Sequence, residues 1–332
     1  MGRIVVLSDI HLSPTHGFFW ENWCVAREFA DAAMADAVIV NGDLAIDGPD
    51  SDAEIAFAAT ALGNLRTRVM ALPGNHDVGD EPPGQDPDQI INADRLARWD
   101  SSFATDRWAL DAGDWRLIGV NAQLFGSGLA REPAQDQWLD EQLRTAGRPT
   151  ALFLHKPLFL ESPTDDVIGP VCMVPSARTR LLDKLNRSDV RLIVSGHVHQ
   201  HRDRTFGGQR HLWVPAVAFA APHALGGDVR CGVTVLDFSQ NSVEVTVEWP
   251  RGLISHDLNA IKGHGRYQFL RDMPPCPPPS ASALMDEAAR PLGLGDRGRP
   301  VQIVEIAGAG SSHPGTHTRC PDGVSSTRTG VP

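Results

Sequence analysis

Short apolar runs recur along the first 250 positions, each stopped abruptly by Gly, Asn, Asp, Ser or Pro. Arg3–Leu7 ends at Ser8-Asp9, Ala37–Val40 at Asn41-Gly42-Asp43, and Arg68–Leu72 at Pro73-Gly74. Runs of this length and composition read as buried strands. Between them lie helical stretches. One covers Trp20–Ala35. A second opens at Ser51-x-x-Glu54, the pattern of a capping box, and runs to about Leu65. Strand alternating with helix is the rhythm of an α/β protein with a covered sheet. Further strands are expected at Trp115–Val120, Thr150–Leu154 and Arg191–Val194, with helices at Ala134–Arg144 and Ala177–Leu185.

After His201 the rhythm changes. His211–Ala218, Gly232–Phe238 and Val243–Trp249 follow one another with short polar turns, which predicts a second, more antiparallel sheet beside the first. Residues 273–332 hold ten Pro and eight Gly, too many for an independent core, and read as an extended or disordered tail. Within it, Val301–Ile306 is expected to add an edge strand. The expected division is 1–250 as the functional domain, 251–272 as an extension serving as a lid or dimer contact, and 273–332 as tail.

Composition narrows the setting. The formal charge of −11 disfavours a nucleic-acid polymer as partner. The five cysteines are scattered and never spaced Cys-x-x-Cys, which suits reduced thiols and a cytoplasmic location. No run is long enough to span a membrane, so no membrane partner is expected.

The candidate chemistry sits where the predicted strands end: Asp9-x-His11, Gly42-Asp43, Gly74-Asn75-His76-Asp77, His155, and Gly196-His197-x-His199. Ligands of open α/β sheets bind outside the carboxyl ends of strands. Five strand ends that deliver His, Asp and Asn to one edge point to a metal site. Mixed imidazole and oxygen donors suit Mn, Fe or Zn better than Mg or Ca. Two such ions can neutralise phosphate oxygens and acidify a bound water, and Asp43, central in the set, is the natural bridge. Gly42, Gly74 and Gly196 are expected to take positive φ and turn the next side chain inward. The i, i+2 spacing of Asp9/His11 and His197/His199 is expected to place each pair on one side of an extended segment. Gly-Asn-His-Asp is the most specific element, expected by chance in about one chain in 500 of this length.

This constellation resembles the calcineurin-like metallophosphoesterases over about residues 3–200, and within them most resembles bacterial class III cyclic nucleotide phosphodiesterases. The resemblance implies an α/β fold, a four-layer αββα sandwich of two mixed sheets flanked by helices. It implies two metal ions. Asp9, His11, Asp43 and His199 would hold one, and Asp43, Asn75, His155 and His197 the other. It implies that His76 contacts the phosphate and assists the leaving oxygen, and that the chain is a homodimer. Lys156-Pro157 after His155, and the additional His201, depart from the family pattern. The expected activity is hydrolysis of a small phosphodiester, a 3',5'-cyclic nucleotide being one candidate, through a metal-activated water. Alternatives are a phosphomonoesterase, a lipid or phosphonate-ester diesterase, or a non-catalytic scaffold on the same fold. Asn75, His76, His16 and His201 are the expected substrate contacts. His211, His223, His256 and His264 carry no pattern and read as ordinary. The aromatic group Phe18, Phe19, Trp20 and Trp23 reads as core first and as a stacking surface second.

Overall fold

The computed structural model describes residues 1–84, 87–166, 171–258 and 274–278. The first half builds β1 (Gly2–Leu7), α1 (Trp20–Ala32), β2 (Ala37–Asn41), α2 (Asp52–Gly63), β3 (Val69–Leu72), the single turn α3 (Asn75–Val78) and α4 (Ala93–Phe103). It continues through β4 (Trp108–Ala112), β5 (Trp115–Gly119), α5 (Arg131–Thr145), β6 (Thr150–Phe153), α6 (Pro175–Leu185) and β7 (Val190–Ser195). Then come β8 (Arg202–Phe206), β9 (Gln209–Trp213), β10 (Phe219–Ala220), β11 (Val233–Phe238), β12 (Val243–Glu248) and β13 (His256–Asp257).

Two large mixed sheets result. One has the order β12-β11-β1-β2-β3 and the other β4-β5-β6-β7-β9-β8. β1, β2 and β3 run parallel, whereas β11 lies antiparallel on the free edge of β1. β5, β6, β7 and β9 are parallel, and antiparallel β4 and β8 close the two edges. Period-two alternation assigns the faces. Ala151, Phe153, Leu192 and Val194 join β1–β3 in the central core, together with α1, α2 and α4. Leu152, Leu154 and Ile193 point the other way, into a second core under α5 and α6. Helix, sheet, sheet, helix is the expected four-layer sandwich.

The separate antiparallel sheet expected after His201 does not form. β9 extends the β5–β7 layer, while β11 and β12 return to extend the β1–β3 layer. β1 in one layer and β7 in the other are buried strands that would otherwise be open edges, and β11 and β9 satisfy their backbone groups. The strand expected over His211–Ala218 ends at Trp213, because Pro215 follows and the chain turns to cross between the layers. β13 pairs with β10 in a two-stranded patch beside the site. Within the tail, Cys276 is tied to the 15–17 loop: its N–H donates to the Thr15 carbonyl and its carbonyl accepts from the Gly17 N–H (2.8 and 2.9 Å). Residues 259–273 and 279–332, which include Val301–Ile306 and all but 251–258 of the expected lid or dimer contact, lie outside the described residues. Cys24, Cys172, Cys231 and Cys276 form no disulfide. Among the described residues no helix is long and apolar enough to cross a membrane.

Candidate metal centre

Asp9, Asp43, Asn75, His155 and His197 each follow the last residue of a strand by two or three positions, after β1, β2, β3, β6 and β7. The carboxyl ends of both sheets therefore empty into one place. The backbone there is unusual. Seven described non-glycine residues have positive φ, and five of them are Asp9 (53°), His11 (45°), Asp43 (53°), His197 (68°) and His199 (52°). Left-handed backbone is rare outside glycine and clusters at functional sites, where the surrounding structure over-determines it. The extended geometry expected for Asp9-x-His11 and His197-x-His199 is thus corrected. The side chains converge because each segment bends at the ligand itself.

The glycines act differently from expectation as well. Gly42 does take φ +91°. Gly74 is extended at φ −105°, and Gly196 is not among the positive-φ glycines. They are needed for closeness. A Cβ on Gly74 would lie 2.1 Å from Asp43 Oδ1, and one on Gly196 would lie 2.0 Å from Ser8 Oγ.

Seven polar side chains now face one another, nearly all fully buried. Asp9 Oδ1 lies 3.2 Å from His199 Nε2 and 4.0 Å from His155 Nε2. Asp43 Oδ2 lies 3.1 Å from His155 Nε2 and 3.9 Å from His11 Nε2. The Nε2 atoms of His11 and His199 approach to 3.4 Å. Donor atoms fall into the sets Asp9/His11/His199, His11/Asp43/His76 and Asp43/His155/His197, each within 4.8 Å. Both amide atoms of Asn75 are buried without a hydrogen-bond partner.

Neighbouring groups fix the aim of these donors. The Nδ1 of His155 meets the Asn41 carbonyl at 2.9 Å, and that of His199 meets the Phe219 carbonyl at 2.9 Å. An imidazole that donates Nδ1–H to a carbonyl presents the Nε2 lone pair inward. The Asp9 carboxylate accepts from Ser8 Oγ and the His197 N–H (2.6 and 3.1 Å). Asp43 Oδ1 accepts from the His76 N–H at 2.8 Å. Asp77 accepts from the N–H groups of Leu44, Ala45 and Gly74, tying two of the loops together. Lys156 is buried behind the centre, its Nζ 2.6 Å from Glu81 Oε2 and 3.2 Å from Asp80 Oδ1.

Charge distribution follows from burial and proximity. Burial opposes ionisation of Asp43, but His155 and His76 outweigh it and hold the carboxyl well below its usual range. Burial likewise opposes Asp9, and His199 overcomes it. Burial lowers His155, and the neighbouring Asp43 lifts it to about 9. His197 is pushed down to about 3 by burial, Lys156 and His155. Asp77, buried beside Asp43, is raised to about 7. The carboxylates of Asp9 and Asp43 thus stay ionised, held so by the imidazoles packed around them.

The calcineurin-like phosphoesterase family model matches residues 2–201. The chain belongs to that family. Serine/threonine-protein phosphatase CPPED1 of Pongo abelii is 30% identical over 154 residues, which are 43% of this chain and 46% of that protein. Glycerophosphodiester phosphodiesterase GpdQ of Enterobacter lignolyticus is 32% identical over 130 residues, 37% of this chain and 42% of its own length. The chain thus matches less than half the length of these relatives. A dimetal phosphatase structure from Danio rerio superposes with TM-score 0.52 at 14% identity, covering 74% of this chain and 96% of that one, which speaks to the fold alone.

Metallophosphoesterases use metal ions, and the residues present fit them. Ionised buried carboxylates, two Nε2 atoms face to face at 3.4 Å and an orphaned buried amide are each costly alone and favourable around a cation. A cavity of about 420 Å³ opens from the centre, and Asp43, Asn75, His76, His197 and His199 are among its lining residues. Of the expected substrate contacts, Asn75 and His76 line it. His16 and His201 do not. His16 is held in the 13–17 loop, its Nδ1 2.9 Å from Thr15 Oγ1, and His201 is engaged with the Asp228 backbone and the Trp213 carbonyl. His223, read as ordinary, stands at the cavity rim. Nothing in its local sequence marks it, because it lies in a loop well beyond His199, where the last motif ends. Phe19, Trp20 and Trp23 are buried and belong to the core.

Proposed function

We propose that the chain hydrolyses a small phosphoester, a diester before a monoester, with two ions such as Mn, Fe or Zn. Asp9, His11, Asp43 and His199 would hold one ion, and Asp43, Asn75, His155 and His197 the other. The observation that carries this reading is the convergence of these seven donors from five strand ends around Asp43, whose Oδ2 lies 3.9 Å from His11 Nε2 and 3.1 Å from His155 Nε2. Such ions, when bound, neutralise phosphate oxygens and acidify water.

The chain's own residues supply the rest. Asn75, with both amide atoms uncommitted, presents a donor toward a phosphate oxygen as well as an acceptor toward an ion. His76 lines the cavity with Nδ1 held by the Ile46 carbonyl at 2.7 Å, and as the imidazolium its ring would pass the Nε2 proton to the departing ester oxygen. No Arg or Lys is among the described lining residues. A singly charged diester needs less compensation than a dianionic monoester, which supports the diester preference. The names of the two relatives, a protein phosphatase and a glycerophosphodiester phosphodiesterase, support the wider class.

The test is turnover of bis-p-nitrophenyl phosphate against p-nitrophenyl phosphate by the metal-loaded chain. A higher kcat/KM for the diester is expected, with a loss of about 100-fold or more in His76→Asn, in the range of removing a general acid. Faster turnover of the monoester would refute the diester preference. Unchanged turnover in His76→Asn would refute the role of that residue.

A further inference from the structure

The lining of the cavity that opens from the metal centre is of two kinds. Beside the polar donors stand Val171, Val198, Phe219, Ala221, Pro222 and Leu225, with Gln200 and His223 among them. Phe219 packs against His199, ring centroids 4.2 Å apart, so the apolar wall adjoins the donors and an organic group on a phosphate held there would meet it. A charged group there would lose hydration with no described lysine or arginine to meet it, whereas an apolar group gains by burial. We propose that this wall is a specificity pocket for an uncharged, apolar aryl or alkyl group on the phosphoester, and that Gln200 positions it. The proposal rests on the phosphoesterase reading above.

Gln200 adjoins His199 and is fully buried. Its amide is spent entirely on backbone. Nε2 donates to the Val198 and His223 carbonyls, both at 3.1 Å. Oε1 accepts from the N–H groups of Leu225 and Gly227 at 2.6 and 3.3 Å. One side chain thus ties the 223–227 loop, and with it the Leu225 part of the apolar wall, to the segment that carries His197 and His199. Arg202 adds a second tether through the Leu225 carbonyl at 2.8 Å. A carboxylate in place of the Gln200 amide would keep the two acceptor contacts and turn the two donor contacts into repulsions.

The test is binding of three non-hydrolysable probes to the metal-loaded full chain by titration calorimetry: methylphosphonate, phenylphosphonate and 4-carboxyphenylphosphonate. Phenylphosphonate is expected to bind at least about tenfold tighter than methylphosphonate, roughly 1.4 kcal/mol. The added carboxylate should remove most of that gain. Leu225→Lys, a change at a half-exposed position, should restore binding of the carboxylated probe. Gln200→Glu should shrink the phenyl-over-methyl ratio severalfold while moving methylphosphonate affinity less, an outcome that a loosened fold would not give. Equal affinity for all three probes, or a carboxylate penalty unaltered by Leu225→Lys, overturns the pocket and leaves the phosphoesterase reading standing. Binding of none of them overturns both.

Discussion

Replacing Lys156 by Met should destabilise the chain strongly, and more so at high pH. The Lys156 side chain is 1% exposed, and its two partners, Asp80 and Glu81, are 1% and 2% exposed. Met keeps the volume and removes the cation. Two buried carboxylates are then left facing each other, and breaking a buried pair in this way costs about 3–5 kcal/mol. For a domain of this size that corresponds to a fall in Tm of roughly 6–20 °C. The pH dependence follows from the acids. Burial would lower the Lys156 pKa, but Glu81 and Asp80 raise it, so the lysine stays charged through neutral pH and its contribution is lost only above its ordinary value. Burial raises the Glu81 pKa even with the lysine present. Without the lysine the folded pKa rises further, so the penalty grows as pH climbs above the ordinary carboxyl value and fades as Glu81 takes up a proton. Urea unfolding of the wild type and Lys156→Met, both in chelator, near pH 5.5 and near pH 8.5, reads this directly. Adding Glu81→Gln to Lys156→Met should recover part of the loss. A loss below about 1 kcal/mol near pH 8.5, or equal losses at both pH values, would refute the reasoning.

Two further outcomes are expected. Glu54, buried and hydrogen-bonded to Ser13 Oγ at 2.6 Å, is raised to about 7 chiefly by that burial. A carboxyl with a raised folded pKa destabilises as pH rises from its unfolded value, so Glu54→Gln should gain up to about 3 kcal/mol over wild type near pH 8.5 and little near pH 5. Equal gains in urea melts at both pH values would contradict this. Gly74→Ala should cost about 100-fold or more in kcat on a chromogenic diester while retaining the wild-type circular dichroism, because the new Cβ would meet Asp43 Oδ1 at 2.1 Å. Near-normal turnover in that variant would show that Asp43 can move without loss.

The strands that carry the site were legible because they are buried on both faces and read as unbroken apolar runs. β8 was not legible. Its Arg202-Asp203-Arg204 is an edge sequence whose arginines pair with Glu161 and whose aspartate pairs with Arg210 on β9. The polar residues at the strand ends could be read as one group, since each follows an apolar run. Their bends could not, because no residue type announces left-handed backbone on Asp or His. The wall of the cavity was equally hidden. Phe219 lies in the two-residue β10, and Ala221 and Leu225 in the irregular segment after it, whose place is set by Gln200 and by Asn22, which donates to the Val217 and Ala218 carbonyls from α1. Those contacts span up to 196 positions and leave no local pattern.

The most direct test of the metal centre is the metal content of purified, metal-loaded protein, wild type beside Asp43→Ala. About two equivalents of a first-row transition metal per folded wild-type chain are expected, falling to one or fewer in Asp43→Ala together with loss of diester turnover. A wild-type chain that holds less than one equivalent under saturating metal, or an Asp43→Ala chain that keeps both ions and its turnover, would contradict the assignment.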